Sequence, residues 1–229
     1  MSHDKIASTF DDWAKSGRAE RLEDGHGDVV RQVIARMDFK AGDQTLDLGC
    51  GSGWATRLLA NGAPGSGAIG IDVSPEMIAK AEGLHDFTYR ARYERGTFEA
   101  IDFPDGKFNK AFSMEALYYA TDLEKALAEI FRVLKPGGTG DIVIDHYQES
   151  RQTATWGDSV GLDLTYLSVA EWTARFESAG FTGVVTDRIL DSRGPGSEAD
   201  FEPSVHYATW QDRVELHEAG SLWIHADKA

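Results

Sequence analysis

Three glycines at alternating positions, Gly49, Gly51 and Gly53, follow an apolar run, Leu46 to Leu48, that carries a single acid, Asp47. Glycine tolerates left-handed backbone and lets a ligand come close to the main chain, and the amides that open a following helix attract negative charge. Nineteen residues past Gly53, a second acid, Asp72, ends the next apolar stretch, GAIGID. A carboxylate at a strand end can accept both hydroxyls of an unphosphorylated ribose. Dinucleotide sites need G-x-G-x-x-G, whose third glycine lets helix and strand pack closely; here the pattern is G-x-G-x-G, and Trp54 stands where that glycine belongs. The indole disfavours a pyrophosphate, so the expected ligand is an adenosine without one.

For these residues to meet, strand ends must gather on one edge of a sheet. QTLDL reads as a strand leading into the glycines, and a helix from Trp54 stops at Asn61-Gly62. GAIGID is the next strand, and Ser74-Pro75 offers a cap and a first-turn proline for the helix PEMIAKAEGL. ARYERGT, NKAFSM and GDIVIDHY read as strands, LEKALAEIFRVL as a helix ended by KPGG, and SVAEWTARFESAG as a Ser-capped helix. FTGVVTDRIL, the helix TWQDRVELHEAG and the strand SLWIHADK complete the chain. Such alternation predicts an α/β fold with a mostly parallel sheet covered on both faces. Residues 1–40 form a separate helical unit, with Val29, Val30, Val33, Ile34 and Met37 on one stripe, and residues 41–229 form the main domain. The only long stretch that reads as a loop is Asp191 to Ser204.

Composition narrows the function classes. Thirty-eight Asp and Glu against twenty-three Lys and Arg give a formal charge of −15, which opposes binding to nucleic acid, and no basic patch offsets it. No run of eighteen apolar residues and no secretory signal are visible, so neither a membrane partner nor export is expected, and a cytoplasmic protein is. The lone Cys50 excludes an internal disulfide and a multi-cysteine metal site, and no metal is expected.

The segments TLDLGCGSG, GIDVSPEMIAKA, FPDGKFNKAFS and ALAEIFRVLKPGG stand in the order and spacing of class I S-adenosylmethionine-dependent methyltransferases. Over residues 40–190 the chain resembles that family, specifically its small-molecule, ubiquinone-biosynthesis-type group. The resemblance implies a Rossmann-like, doubly wound seven-stranded sheet of order 3-2-1-4-5-7-6, with SLWIHADK antiparallel, an N-terminal helical lid, and S-adenosyl-L-methionine as cofactor. It implies that Gly49, Cys50 and Gly51 line the methionine portion, with Cys50 mainly packing, and that Asp47 orients the loop and meets the ammonium through water. Asp72 would hold the ribose, and Val73 and Met77 would pack on the adenine. Thr97, Phe98 and Glu99 occupy an acid-small-acid position of the family, from which Thr97 departs, leaving the Phe98 backbone and Glu99 to read the adenine amino group.

Methyl transfer from a sulfonium is an in-line displacement, so the protein aligns the nucleophile and can remove a proton. Candidates should project from the ends of the fourth and fifth strands: Met114, Glu115, Tyr118 and Tyr119 from SMEALYYA, and Asp145, His146 and Tyr147 from IDHYQES. Met114 is assigned to the cofactor, while His146, Tyr118 and Glu115 are the catalytic candidates. His146 could instead be satisfied by its neighbours, and Glu115 could cap the following helix. Trp13, Arg18, His26 and Tyr119 are expected at the substrate or in the lid. No Asn/Asp-Pro-Pro-aromatic tetrapeptide follows the fourth strand, which, with the acidic charge, favours a small-molecule acceptor over nucleic acid. A cofactor-binding sensor or partner subunit, and transfer from a modified cofactor, remain open as alternatives.

Overall fold

A computed structural model describes residues 2–204 and 207–229. Strands β1 (Gln44–Leu48), β2 (Gly67–Asp72), β3 (Ala91–Arg95), β4 (Phe108–Met114), β5 (Leu134–Ile144), β6 (Thr182–Ile189) and β7 (Ser221–Asp227) form one sheet in the order 3-2-1-4-5-7-6. Neighbours from β3 to β5 pair in parallel, and β7 runs antiparallel to both β5 and β6. This is the expected sheet, and its parallel part brings the ends of β1, β2, β4 and β5 to one edge.

Alternation along the strands sends successive side chains to opposite faces. Leu46, Leu48, Ile142 and Ile144 meet α5 (Leu123–Val133) and α7 (Val169–Ser178), whose Leu127, Ile130, Trp172 and Phe176 are fully buried. On the other face Phe112 and Val143 pack with α2 (Glu20–Ile34) and α3 (Trp54–Ala60). The predicted stripe of α2 is the one that is used: Val29, Val30, Val33 and Met37 are buried, and Ile34 is partly so. Caps start the helices where the sequence suggested. Ser74 accepts from the Met77 amide at 3.0 Å to open α4 (Pro75–Gly83), and Ser168 with Glu171 forms a reciprocal capping box on α7.

Three details differ from expectation. The N-terminal unit is two helices, α1 (His3–Lys15) and α2, separated by a turn in which Gly17 is left-handed. α5 ends at Val133, just ahead of KPGG as expected, but β5 begins at once at Leu134, so the four residues sit inside the strand at a register shift against β4. Between β5 and α7 the chain is mostly irregular, with only a 3-10 turn at Arg151–Thr153 and the short helix α6 (Trp156–Val160), so Asp191–Ser204 is not the only long irregular stretch. Ahead of β7 lies α8 (Trp210–Ala219), as expected. Among the described residues no helix is long and apolar enough to cross a membrane.

Trp172 joins α7 to the sheet without any exposed surface. Trp172→Ala should therefore lower unfolding stability by about 3–5 kcal/mol through lost contacts and a residual cavity. A denaturant titration checks this, and a loss below about 1 kcal/mol would show that α7 contributes little to the core.

Candidate active site

The glycine loop is shaped by β2. The amides of Gly49 and Cys50 both donate to the Ile71 carbonyl, at 2.9 and 3.0 Å. The amide of Gly51 donates to Asp72 Oδ2 at 2.9 Å, and that of Ser74 to Asp72 Oδ1 at 2.9 Å. Gly51 and Gly53 are both left-handed, but for different reasons. A Cβ on Gly53 would overlap the Tyr93 ring and press on Ala81, so this glycine permits close packing against β3 and α4. A Cβ on Gly51 would meet nothing nearer than Met77 Sδ at 4.0 Å, so this glycine borders open space.

That space is a cavity of about 610 Å³, lined by the glycine loop, by the ends of β2, β4 and β5, by α1 and α2, and by the segment after β6. Asp47, Gly49, Cys50, Gly51, Asp72, Val73, Met77, Thr97, Phe98, Glu99 and Met114 all reach it. Asp47 is buried, accepts from Thr56 Oγ1 at 2.6 Å, and is pushed up to about 7, chiefly by burial. Burial also raises Asp72, to about 6, against the opposing pull of the Ser74 and Gly51 amides. Cys50 is buried against Gly70, and burial pushes its thiol up, which suits packing rather than reactivity.

Glu99 has another attachment. Its carboxylate accepts from the Thr121 amide at 2.6 Å and hydroxyl at 2.7 Å, and pairs with His3 Nε2 at 2.8 Å. Burial raises this carboxyl, but the Thr121 and His3 hydrogen bonds outweigh it and hold the group below its ordinary value. The residue expected to read adenine thus clamps α1 to the loop before α5.

At the other end of the cavity stand Glu115, Tyr118, Tyr119 and Asp145. Glu115 has φ 53°, a left-handed conformation that is costly for a non-glycine residue and clusters at functional sites. One of its oxygens accepts from Tyr118 Oη at 2.8 Å, and the other accepts a short hydrogen bond from the Asp145 amide. Burial, then the neighbouring Asp145 charge, pushes Glu115 well above the carboxylate range. Burial likewise raises the Tyr118 phenol.

His146 is not brought to this cluster. Its ring lies between Tyr118, Trp156 and Tyr166, Nδ1 meets the Thr153 carbonyl at 3.0 Å, and it is absent from the cavity wall. Successive residues at a strand end point to opposite sides, so Asp145 takes the cavity side and His146 the packed side. Burial lowers His146, consistent with a neutral, satisfied ring.

The N-terminal helices form a wall. Trp13 carries the Arg18 guanidinium 3.6 Å above its ring and touches Phe10, which packs edge-on to Tyr119. Asp11 accepts from Ser74 Oγ at 2.5 Å, docking α1 beside Asp72. His26 Nδ1 lies 3.9 Å from Asp145 Oδ2, and burial lowers its basicity. Sequence reasoning did not place the remaining wall, Asp191, Arg193, Tyr207, Arg213 and His217. Arg193 bonds the carbonyls of Asp24 and Gly25, at 2.6 and 3.1 Å, and tethers its segment to α2. The one signal available was the length of the Gly- and Pro-containing loop, since long loops on rigid scaffolds often carry function. Among the described residues no group of His, Cys, Asp and Glu is arranged to hold a metal.

Comparison with known proteins agrees with this geometry. The family description "Methyltransferase domain" matches residues 46–140. A chain of the Haloferax volcanii complex between the Trm112 methyltransferase activator and a methyltransferase is 35% identical, with 96% of this chain and 97% of that one covered and a TM-score of 0.87. The 2-methyl-6-phytyl-1,4-hydroquinone methyltransferase of Synechocystis sp. is 30% identical over 174 residues, 66% of this chain and 54% of that protein. A sterol 24-C-methyltransferase of Yarrowia lipolytica is 32% identical over 139 residues, 54% of this chain and 36% of that protein. The chain spans about half or less of the length of these curated relatives. With its sheet order, its glycine loop and its full-length likeness to the Haloferax volcanii complex, the chain belongs to the class I S-adenosylmethionine-dependent methyltransferase family.

Proposed function

We propose that this chain transfers a methyl group from S-adenosyl-L-methionine to a small-molecule acceptor. The observation that carries this reading is one continuous cavity whose wall joins the glycine loop and Asp72 to the Glu115, Tyr118 and Asp145 cluster. When bound, the cofactor supplies an electrophilic methyl on a sulfonium. The residues around it do the rest. Gly49, Cys50 and Gly51 line the methionine portion, and Asp47 faces its ammonium. Asp72 keeps lone pairs for the ribose hydroxyls beyond the two amides it already accepts, because an ionised carboxylate has about four acceptor sites. Val73 and Met77 flank the adenine beside Thr97 and Phe98, and Met114 separates the cofactor from the acceptor side.

Residues 1–40 act as the lid over the main domain, residues 41–229, with Trp13, Arg18, His26 and Tyr119 excluding water from the reacting groups. The lid is held by Glu99 with His3, Ser74 with Asp11, and Arg193 with Asp24 and Gly25. The protein works in the cytoplasm. A protein activator of the Trm112 kind belongs to this reading, on the likeness to the Haloferax volcanii complex and on one surface feature. Phe87 is 96% exposed and Leu84 52% exposed, both just ahead of the sheet-edge strand β3.

Incubating the pure chain with methyl-labelled cofactor and a metabolite extract tests the activity; label on a small molecule supports it, and cofactor binding without any transfer favours a sensor. Asp72→Ala should weaken S-adenosylhomocysteine binding by about 2 kcal/mol, roughly 30-fold in Kd by calorimetry, and an unchanged Kd would refute the ribose role. Asp47 should make binding pH-dependent. Free, it titrates at about 7; an ammonium beside it favours the ionised form, so binding expels a proton at lower pH, and affinity should rise from pH 6 to pH 8. Asp47→Asn should remove that rise.

Amides of residues 8–26 should exchange quickly in the free chain and slow when S-adenosylhomocysteine is added, as ligand contacts bias a mobile segment to its closed state. Unchanged protection would make these helices purely structural. Co-expressed Haloferax volcanii Trm112 should co-elute with the chain, and Phe87→Glu should abolish co-elution; a complex insensitive to that change would move the interface elsewhere.

A further inference from the structure

The glycine loop and Asp72 account for one end of the cavity, while at the other end, among the described residues, no cation lies within hydrogen-bond distance of Asp145. The arginines of the cavity wall are each engaged, Arg18 over the Trp13 ring. Arg193 pairs with the Asp191 carboxylate and bonds the carbonyls of Asp24 and Gly25. Arg213 donates to the Pro195 carbonyl and the Tyr207 hydroxyl, both at 2.7 Å. Glu115 takes its donors from Tyr118 and the Asp145 amide, neither of them a cation. Asp145 has His26 at 3.9 Å, beyond hydrogen-bond reach, and its Oδ1 is buried with no hydrogen-bond partner.

An acceptor atom buried in this way calls for a donor, and leaving it unmet is costly. Among the described residues none bonds it, and the rest of the Asp145 side chain, 18% exposed, lines a cavity with room for a ligand. The same cavity is lined by the aromatic rings of Tyr118, Tyr119, Trp156 and Tyr207. Aromatic faces beside a carboxylate attract a cationic nitrogen and disfavour an anion, which would meet like charge. Burial and the neighbouring Asp145 push the Glu115 carboxyl well above the usual carboxylate range, which disfavours a second negative charge beside Asp145.

Resting on the methyltransferase reading above, we propose that Asp145 determines acceptor specificity and that the acceptor is an amine whose nitrogen meets the part of the Asp145 carboxylate that lines the cavity. The same carboxylate can take one proton from a bound ammonium, becoming a carboxylic acid and leaving the nitrogen its lone pair. Glu115 is the positioning residue: it accepts the Asp145 amide from a left-handed turn and thereby sets where that side chain points.

Three probes of matched size separate the possibilities: phenethylamine, 2-phenylethanol and 3-phenylpropionate, each titrated by calorimetry into the full chain saturated with S-adenosylhomocysteine. Phenethylamine should bind at least tenfold more tightly than 3-phenylpropionate, with the alcohol between them. Asp145→Asn should erase that preference while S-adenosylhomocysteine still binds as in the parent, which also reports that the variant is folded. Glu115→Gln, which keeps an acceptor for the Asp145 amide, should retain the preference. Equal or tighter binding of the carboxylate, a preference that survives Asp145→Asn, or no binding of any probe would overturn the proposal and leave the cofactor reading standing. Loss of S-adenosylhomocysteine binding by the parent chain would instead refute the cofactor reading itself.

Discussion

The carboxylate of Asp72 holds two chain segments at once, and the site is built around that attachment. One oxygen takes the amide of Gly51 and the other the amide of Ser74, so the loop after β1 and the start of α4 are both fixed to the end of β2. Ser74 in turn caps α4 and donates to Asp11, which brings α1 down over the same edge. A charge-assisted bond to a backbone amide is stronger than a neutral one, and it is stronger still where water is scarce. The arrangement has a cost, visible in the raised Asp47 and Asp72 carboxyls, both dominated by burial. Buried acids of this kind concentrate where a ligand is expected to supply what solvent no longer does.

A second pair of acids repeats the logic at the opposite end. Glu115 and Asp145 leave β4 and β5 side by side because those strands are parallel neighbours, and burial together with the Asp145 charge raises the Glu115 carboxyl. The strained backbone at Glu115 persists because the surrounding bonds to Tyr118 and the Asp145 amide over-determine it. Between the two pairs runs the single cavity, so the same sheet edge presents one acidic pocket beside bare backbone and another beside aromatic rings.

The N-terminal helices close this edge with buried apolar residues, Ile6 on α1 and the Val29, Val30 and Val33 stripe on α2, supplemented by a few long-range polar attachments. His3 with Glu99 and Arg193 with the end carbonyls of Asp24 and Gly25 are partly exposed, and such contacts contribute modestly to stability. Segments held this way open at lower free energy than the core formed by Trp172, Phe176 and the central strands.

Much of this was legible in the chain itself. The stripe on α2, the caps at Ser74 and Ser168 and the glycine loop depend on residues within a few positions of one another, and such short-range rules read directly from spacing. The sheet order came from the family resemblance that four motifs in register carry. The packing reason for the third glycine did not: Gly53 gives way to Tyr93, forty residues on in a neighbouring strand. Nor could the chain alone choose between Asp145 and His146, since the alternation of a strand says that they part but not which side is open. The chain alone gave no sign that His3, 96 residues away, would meet the carboxylate of Glu99, which lines the cavity. Local backbone chemistry is written in neighbouring residues, whereas the partner of a buried charge is decided by whichever distant element packs beside it.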